Sequence, residues 1–140
     1  MWGVKMKLVL GKEYYFNLIF KPKKDNQIRL IVFVESRSGR LDTQTGLILP
    51  VAELDEVVEN AIKDISGKDL DEIKGLAYLP HTLEIIATRL WERIEESMSY
   101  KARLAKLKIV HGDTFVEYIG RDIETRETKT QPQTKLRKKR

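Results

Sequence analysis

Residues 46–70 read GLILPVAELDEVVENAIKDISGKDL, and this stretch decides the fold class of the chain. It opens with a short extended apolar segment, and Pro50 then stands where the first turn of a helix accepts a residue without a backbone N–H. Ser66 and Gly67 are predicted to end the helix, with the glycine as its C-terminal cap. Between these limits the apolar residues recur at helical spacing, which predicts one buried helix face: Leu54, Val57, Val58, Ala61, Ile62 and Ile65.

The segments before residue 46 are typical of strands. The runs LVL and YYFNLIF within residues 8–20 are rich in β-formers and are predicted to be interrupted at residues 11–13, GKE. Residues 27–35, QIRLIVFVE, are dense in β-branched and aromatic side chains and predict a strand buried on much of both faces. A polar loop rich in Ser, Gly and Thr follows, at residues 36–46.

A second helix and a hairpin are predicted after the first helix. Thr82 is a candidate N-cap, with Glu84 in the first turn facing the positive end of the helix dipole. Residues 105–111 alternate, with Ala105, Leu107, Ile109 and His111 on one face, and Gly-Asp provides a tight turn before TFVEYIG. The predicted apolar stripe of the helix is Leu83, Ala87, Leu90, Trp91, Ile94 and Met98.

The order strand, strand, helix, helix, strand, strand predicts an α+β fold. We expect a four-stranded antiparallel sheet with both helices on one face. The other face and the sheet edges then need cover, which a symmetric oligomer would supply by closing several sheets into a barrel. The sequence therefore predicts a homo-oligomer.

Composition limits the class of protein. At 140 residues the chain is predicted to form one domain, residues 1–120, followed by a tail. The absence of cysteine excludes a disulfide framework, a thiolate zinc site and a cysteine nucleophile, and fits a reducing compartment. Apolar runs are too short for a membrane span and the N-terminus lacks a small-residue cleavage site, so we expect a cytoplasmic protein without a membrane partner.

The net charge of +5 is confined to the end of the chain. Residues 1–120 contain 18 basic and 18 acidic side chains, whereas residues 121–140 contain 8 basic and 3 acidic ones. Such a tail can contact nucleic acid through its phosphates, or it can simply be a solvated segment that aids solubility. The candidate phosphate contacts are Lys135, Arg137, Lys138, Lys139 and Arg140.

Three blocks resemble the family of 6-pyruvoyl tetrahydropterin synthase and 6-carboxytetrahydropterin synthase, in the T-fold superfamily. The likeness covers residues 27–120, and its blocks are LDTQTGLILPVAELDEVVENAI, LPHTLEIIATRLWERI and IVHGDTFVEYIG. The positions in step with the family are Asp42, Thr45, Gly46 and Leu54, then Thr82, Glu84, Ala87, Leu90 and Trp91, then Glu117, Tyr118 and Gly120. The resemblance implies the T-fold, a hexamer of two trimers and a pterin- or purine-like ligand.

The resemblance also implies chemistry that this chain lacks the residues to perform. Family enzymes use a zinc ion held by three histidines, a cysteine base, an aspartate–histidine pair and a ring-binding glutamate. Here the only histidines are His81 and His111, neither in the first hairpin, where the family's zinc ligands lie. The aspartate–histidine pair corresponds to Ser66 and Gly67, and the glutamate corresponds to Val110 or, with a one-residue shift, His111. We therefore expect no zinc cofactor, and whether the chain is an enzyme stays open.

Three polar residues remain as candidate ligand-binding residues. Thr82 and Glu84 match family positions near the substrate pocket, and a carboxylate can hold a purine- or pterin-like ring by accepting two N–H bonds. The alternative is that Thr82 is a helix cap and Glu84 a first-turn acid. His111 either faces that pocket or is packed and hydrogen-bonded at the end of its strand.

Three functional hypotheses follow. The first is an oligomeric scaffold or ring-binding protein that has lost the zinc-dependent pterin chemistry. The second is a module associated with tRNA or other RNA, in which the oligomer multiplies the basic tails. The third is a metal-free enzyme that acts on a pterin or purine ring.

Overall fold

The structure, a computed structural model, describes residues 7–19 and 26–120 and consists of one sheet and two α-helices. All four strands are antiparallel, in the spatial order β1, β2, β3, β4. This confirms the predicted α+β architecture. The elements are β1 (Val9–Leu18), β2 (Asn26–Ser36), α1 (Val51–Lys63), a 3₁₀ turn (Leu70–Glu72), α2 (Leu83–Ser97), β3 (Ala102–His111) and β4 (Thr114–Tyr118).

Both helices pack on one face of the sheet, which we call the core face. Asp55 of α1 accepts a hydrogen bond from Tyr14 of β1, and Trp91 of α2 stacks on Tyr118 of β4 with ring centroids 4.5 Å apart. Alternate residues of each strand are buried there, because successive side chains of a strand point to opposite faces. The core-face residues of the three long strands are Tyr14, Phe16, Leu18, Ile28, Leu30, Val32, Val34, Ala102, Leu104, Leu107 and Ile109.

The predicted face of α1 is confirmed as far as Ile62, but the helix ends earlier than predicted, so the buried Ile65 lies beyond it. Its last residue is Lys63, and Asp64 is the C-cap. Gly67 lies in the turn beyond and has a φ of 69°, and its N–H donates to the carbonyl of Asn17 at 2.9 Å. Gly67 is therefore not the cap of α1, and its N–H instead attaches the following turn to β1. The buried residues of α1 are Leu54, Val57, Val58, Ala61 and Ile62.

Helix α2 begins where the sequence predicts it. The Thr82 side chain accepts a hydrogen bond from the Ile85 N–H at 3.2 Å, so the predicted N-cap is confirmed. Ile86, which the predicted stripe omitted, is fully buried, whereas Leu83 and Met98 at the two ends are only partly buried. No helix within residues 7–19 and 26–120 is long and apolar enough to cross a membrane.

Strand β1 continues through Gly11, so the predicted interruption at residues 11–13 is wrong. Gly11 pairs with Phe33 of β2, and a Cβ atom at Gly11 would lie 3.0 Å from two atoms of the Phe33 ring. The glycine therefore makes room for an aromatic ring on the neighbouring strand and does not break the strand.

Strand β3 begins three residues before its predicted start, and a bulge changes its phase. Phe33 pairs with Lys106 and Val34 with Leu104, which leaves Ala105 as an extra residue. Ala105 is accordingly half-buried, and His111 at the strand end is half-buried as well. The predicted core-face positions Leu107 and Ile109 are confirmed as fully buried.

The second face of the sheet, which we call the open face, carries charged and aromatic side chains, and neither α1 nor α2 covers it. Ion pairs join Arg29 to Glu13, Arg103 to Glu35 and Lys106 to Glu117 across neighbouring strands. Lys108 lies 4.3 Å from the centre of the Phe115 ring, and Phe115 and Tyr15 are more than half exposed.

A cluster of three side chains joins β1 to α1. Lys12 Nζ donates to both carboxylate oxygens of Asp55, at 2.7 and 2.9 Å, and the Tyr14 hydroxyl donates to Oδ1 at 2.8 Å. The bond from Lys12, followed by the bond from Tyr14, lowers the pKa of Asp55 below its ordinary value. Burial, reinforced by the bond to Asp55, raises the pKa of Tyr14 well above its ordinary value.

We expect this cluster to make stability depend on pH at both extremes. Because the pKa of Asp55 is lowered in the folded state, its contribution is complete above pH 3.8, the ordinary value, and is lost as pH falls through the lowered pKa. Because the pKa of Tyr14 is raised, its contribution is complete below pH 10.0 and declines at higher pH. Tyr14→Phe should lower the free energy of unfolding by about 1 kcal/mol at pH 7 and flatten the alkaline decline.

Urea titrations at several pH values test this expectation. Asp55→Asn should lower stability at pH 7, and its deficit relative to wild type should shrink as pH falls below 3.8. Tyr15→Phe is the matched control, because the exposed Tyr15 hydroxyl bonds only the nearby Glu13 within the described residues. A deficit of Asp55→Asn that stays constant with pH would contradict the assigned cause.

Candidate functional site

One end of the sheet gathers the residues that the sequence singles out. Residues 65–69, which we call the hinge, lie against the end of β1: Gly67 bonds Asn17, and Asp69 forms a parallel bridge with Ile19. The antiparallel order places the end of β3 at this same end of the sheet. A short turn joins the last turn of α2 to the start of β3, which is at the opposite end of the sheet. Helix α2 runs back along the sheet from there, so its first turn lies at the same end as the hinge. We call this the hinge end.

The hinge itself is held by backbone bonds and buried apolar residues. Ile65, its first residue, and Leu70, which follows the hinge directly, are fully buried, whereas Gly67 and Lys68 are exposed. The Asp69 carboxylate accepts the N–H of Asp71 at 3.0 Å and caps the 3₁₀ turn. These contacts account for the hinge as a structural connection between α1 and β1.

The core face beside the hinge is apolar. Leu18, Ile28 and Leu70 are fully buried there. Asn26 is the buried polar residue among the described ones, at 3% exposure, and its Nδ2 donates to the Leu18 carbonyl at 3.3 Å. The resemblance implies zinc ligands in the first hairpin, whereas the buried residues named here are three aliphatic side chains and the amide of Asn26.

The donor set does not fit a catalytic zinc site. Within residues 7–19 and 26–120, no group of three or more His, Cys, Asp or Glu side chains could hold a metal ion. The two histidines belong to different elements. His81 precedes α2 and places its Nε2 atom 3.2 Å from the Leu76 carbonyl, whereas His111 pairs with Thr114 in the final hairpin.

The three predicted ligand-binding residues share the hinge end. The Thr82 hydroxyl serves as the N-cap of α2, which leaves its second lone pair for a ligand. Glu84 is exposed in the first turn, where its charge complements the helix dipole. His111 is half-buried at the end of β3. Their roles remain predictions.

A cluster of opposite charges behind the hinge was not predicted. Arg93 Nε donates to the Asp64 carboxylate at 2.7 Å, and Arg89 reaches both that carboxylate, at 3.4 Å, and the Lys74 carbonyl, at 3.0 Å. Burial raises the pKa of Asp64, but the bonds and charges of Arg93 and Arg89 outweigh it, so the pKa lies below its ordinary value. The cluster fixes the chain after the hinge to both helices.

Gly75 makes that contact possible. It has a φ of 91°, and a Cβ atom there would lie 2.7 Å from Nη1 of Arg89. The sequence does show that Arg89 and Arg93 are one helical turn apart on α2, which places both on the same side of the helix. Their shared partner Asp64 lies 25 and 29 residues away, which local patterns do not reveal.

The basic tail lies outside the described residues. Lys135, Arg137, Lys138, Lys139 and Arg140 all belong to residues 121–140, so the nucleic-acid role suggested for them remains a prediction, as does the division at residue 120.

Comparison with known proteins gives a consistent result. A family model described as 6-pyruvoyl tetrahydropterin synthase matches residues 27–119. The 6-pyruvoyl tetrahydrobiopterin synthase of Drosophila melanogaster is 33% identical over 73 residues, which are 51% of this chain and 44% of that protein. The solved structure of Caenorhabditis elegans 6-pyruvoyl tetrahydropterin synthase matches with a TM-score of 0.70 and 15% identity, over 84% of this chain and 99% of that one.

The sheet with two helices on one face therefore defines a T-fold protein. The chain belongs to the 6-pyruvoyl tetrahydropterin synthase family. The match to the curated relative spans less than half of that relative's length, so its activity does not pass to this chain without further argument.

Proposed function

We propose that this protein binds a pterin- or purine-type ring at the hinge end, as a homo-oligomer, without the zinc-dependent chemistry of its family. One observation carries the proposal. The residues that match the family's ring-binding region lie at the hinge end, where the core face is lined by buried aliphatic side chains. No group of described residues could hold a metal ion. The chain thus keeps the fold of its family but has none of the three-histidine zinc site, the cysteine base or the aspartate–histidine pair that the resemblance implies.

Ring binding is assigned to Glu84. Its carboxylate is exposed and can accept two parallel N–H bonds from the amino-pyrimidine edge of a pterin or guanine. Thr82 and His111 would contact the ring from the helix start and from the strand end. Hydrogen bonds to a charged group contribute about 1.5–3 kcal/mol each, enough to give measurable affinity.

Oligomer formation is supported by the uncovered open face and by the two sheet edges. Among the described strands β1 and β4 are the edges of the sheet, and Tyr15 and Phe115, both more than half exposed, lie on the open face away from α1 and α2. Closing several sheets into a barrel would pair the edges and enclose that face. The resemblance implies a hexamer of two trimers, with the ring bound between copies.

Native mass spectrometry of the untagged full chain tests the metal and oligomer parts of this proposal. We expect a metal-free oligomer with or without a retained small molecule of pterin or purine mass. Stoichiometric zinc, or turnover of a pterin triphosphate, would contradict the loss of the family chemistry. Turnover of a pterin without metal would favour the third hypothesis, a metal-free enzyme.

Ring binding is tested with a titration of neopterin and guanosine by calorimetry. Glu84→Gln replaces one acceptor oxygen by a donor and should weaken binding about tenfold or more, because a charge-assisted pair is lost. Glu95→Gln on the exposed face of the same helix is the matched control and should bind like wild type. Equal affinities for wild type and Glu84→Gln would remove Glu84 from the site.

A further inference from the structure

The end of the sheet opposite the hinge carries a cluster of positive charge. Two adjoining clefts, of about 420 and 460 Å³, share Ser36, Arg37 and Ser38. The first also contains Arg40 and Lys101, and the second contains Lys7 and Arg103. We call these five cations, with Tyr100, the basic edge. The sequence as far as residue 120 is neutral overall, so this charge is concentrated locally.

Arg37 is held in place without a carboxylate partner among the described residues. Its Nε atom donates to the Tyr100 carbonyl at 3.1 Å, and its Nη2 atom donates to the Ala102 carbonyl at 3.4 Å. Its own N–H bonds the Lys101 carbonyl at 3.0 Å. Carbonyl dipoles fix the guanidinium but leave its charge uncompensated, so it can attract an anion.

The acidic residues of the basic edge are already engaged. Glu35 accepts a hydrogen bond from Arg103 at 2.8 Å. Asp42 accepts the N–H groups of Gln44 and Thr45, at 2.8 and 3.0 Å, within its own loop. These two bonds lower the pKa of Asp42, and the charge of Lys101 also helps to lower it. The two clefts together contain five basic side chains and two carboxylates, an excess of three positive charges.

Tyr100 supplies a flat apolar surface beside these charges. Its side chain is 80% exposed although its backbone carbonyl is fixed by Arg37. An exposed aromatic ring beside several cations is the combination with which proteins bind single strands, because bases stack on the ring while basic groups follow the phosphates. A single phosphate would require convergent donors, whereas these five cations are spread over two clefts.

We propose that the basic edge binds single-stranded nucleic acid, with phosphates on Arg37, Arg40 and Lys101 and one base stacked on Tyr100. This surface lies at the end of the sheet opposite the hinge end, and none of its residues belongs to residues 121–140. The proposal does not depend on ring binding at Glu84.

Fluorescence anisotropy with a labelled 12-nucleotide oligouridine, titrated with the full chain at several salt concentrations, tests the proposal. Arg37→Ala/Lys101→Ala should weaken binding about tenfold or more and reduce the salt slope by about 1.4, since each neutralised phosphate of a single strand contributes about 0.7. Lys63→Ala/Lys74→Ala removes two exposed charges near the hinge end and should change the slope far less.

Variants at Tyr100 separate base stacking from simple charge attraction. Tyr100→Ala should weaken oligouridine binding about fivefold or more, whereas Tyr100→Phe should keep it, because stacking on an aromatic ring is worth about 1–3 kcal/mol per base. Neither should change binding of inorganic polyphosphate. Wild-type affinity and salt slope in Arg37→Ala/Lys101→Ala would overturn the proposal and assign any binding to the tail. Equal losses in the two double variants would also overturn it.

Discussion

Replacing Trp91 by alanine is expected to lower the free energy of unfolding by about 3–5 kcal/mol, the usual cost of removing a large buried aromatic side chain. Trp91 is 6% exposed and stacks on Tyr118 at an interplanar angle of 26°. The chain after β4 also passes over it, since a Cβ atom at Gly120 would lie 3.9 Å from the ring. The indole therefore joins α2 to β4, the shortest strand of the sheet.

Urea denaturation followed by circular dichroism measures this effect. Trp91→Phe keeps an aromatic ring against Tyr118 and should lose clearly less stability than Trp91→Ala. Because β4 is an edge strand in the single chain, the alanine variant should also expose the amides of β4 to faster hydrogen exchange. A loss below about 1 kcal/mol would mean that the cavity collapses or that Tyr118 replaces the indole.

The features that the sequence predicted are those that follow from local periodicity. The apolar spacing of α1 marks its buried face, and Thr82 is an N-cap because its side chain bonds an amide only three residues away. The order of the strands in the sheet can also be predicted from the order of the elements along the chain. Two hairpins on either side of two helices can form only a few sheets that bury both helices on one face.

The features that the sequence did not predict depend on contacts between distant residues. The sequence alone predicts an interruption at Gly11, and only the position of Phe33 on the neighbouring strand shows why a glycine continues β1 there. The bulge at Ala105 depends on how β2 and β3 pair. Arg37 acquires its fixed position from carbonyls more than 60 residues away, so nothing in its immediate sequence separates it from a solvated loop residue.

The candidate site shows the same division. The resemblance identified the hinge and the missing reactive residues, and it selected Thr82, Glu84 and His111. The contacts of Gly67 and Asp69 with the end of β1 come from the structure. They give residues 65–69 a role that needs no catalytic side chain, which is to attach the connection after α1 to the sheet.

Leu70→Ala is expected to lower the free energy of unfolding by about 2–5 kcal/mol, because Leu70 is fully buried beside the hinge. It follows directly after Asp69, which forms the bridge with Ile19, and it begins the 3₁₀ turn. Leu79→Ala is the matched control. It makes the same substitution in the same connection, but Leu79 is 45% exposed and should cost about 0.5 kcal/mol or less.

Hydrogen exchange of the Gly67 amide shows whether the loss begins at the hinge. This amide bonds the Asn17 carbonyl, so in Leu70→Ala it should exchange faster than the loss of global stability alone requires. Stability losses of equal size in Leu70→Ala and Leu79→Ala would show that the hinge is not anchored by Leu70. A larger loss in Leu70→Ala, together with faster exchange of the Gly67 amide, would show that the packing of Leu70 holds the hinge against the end of β1.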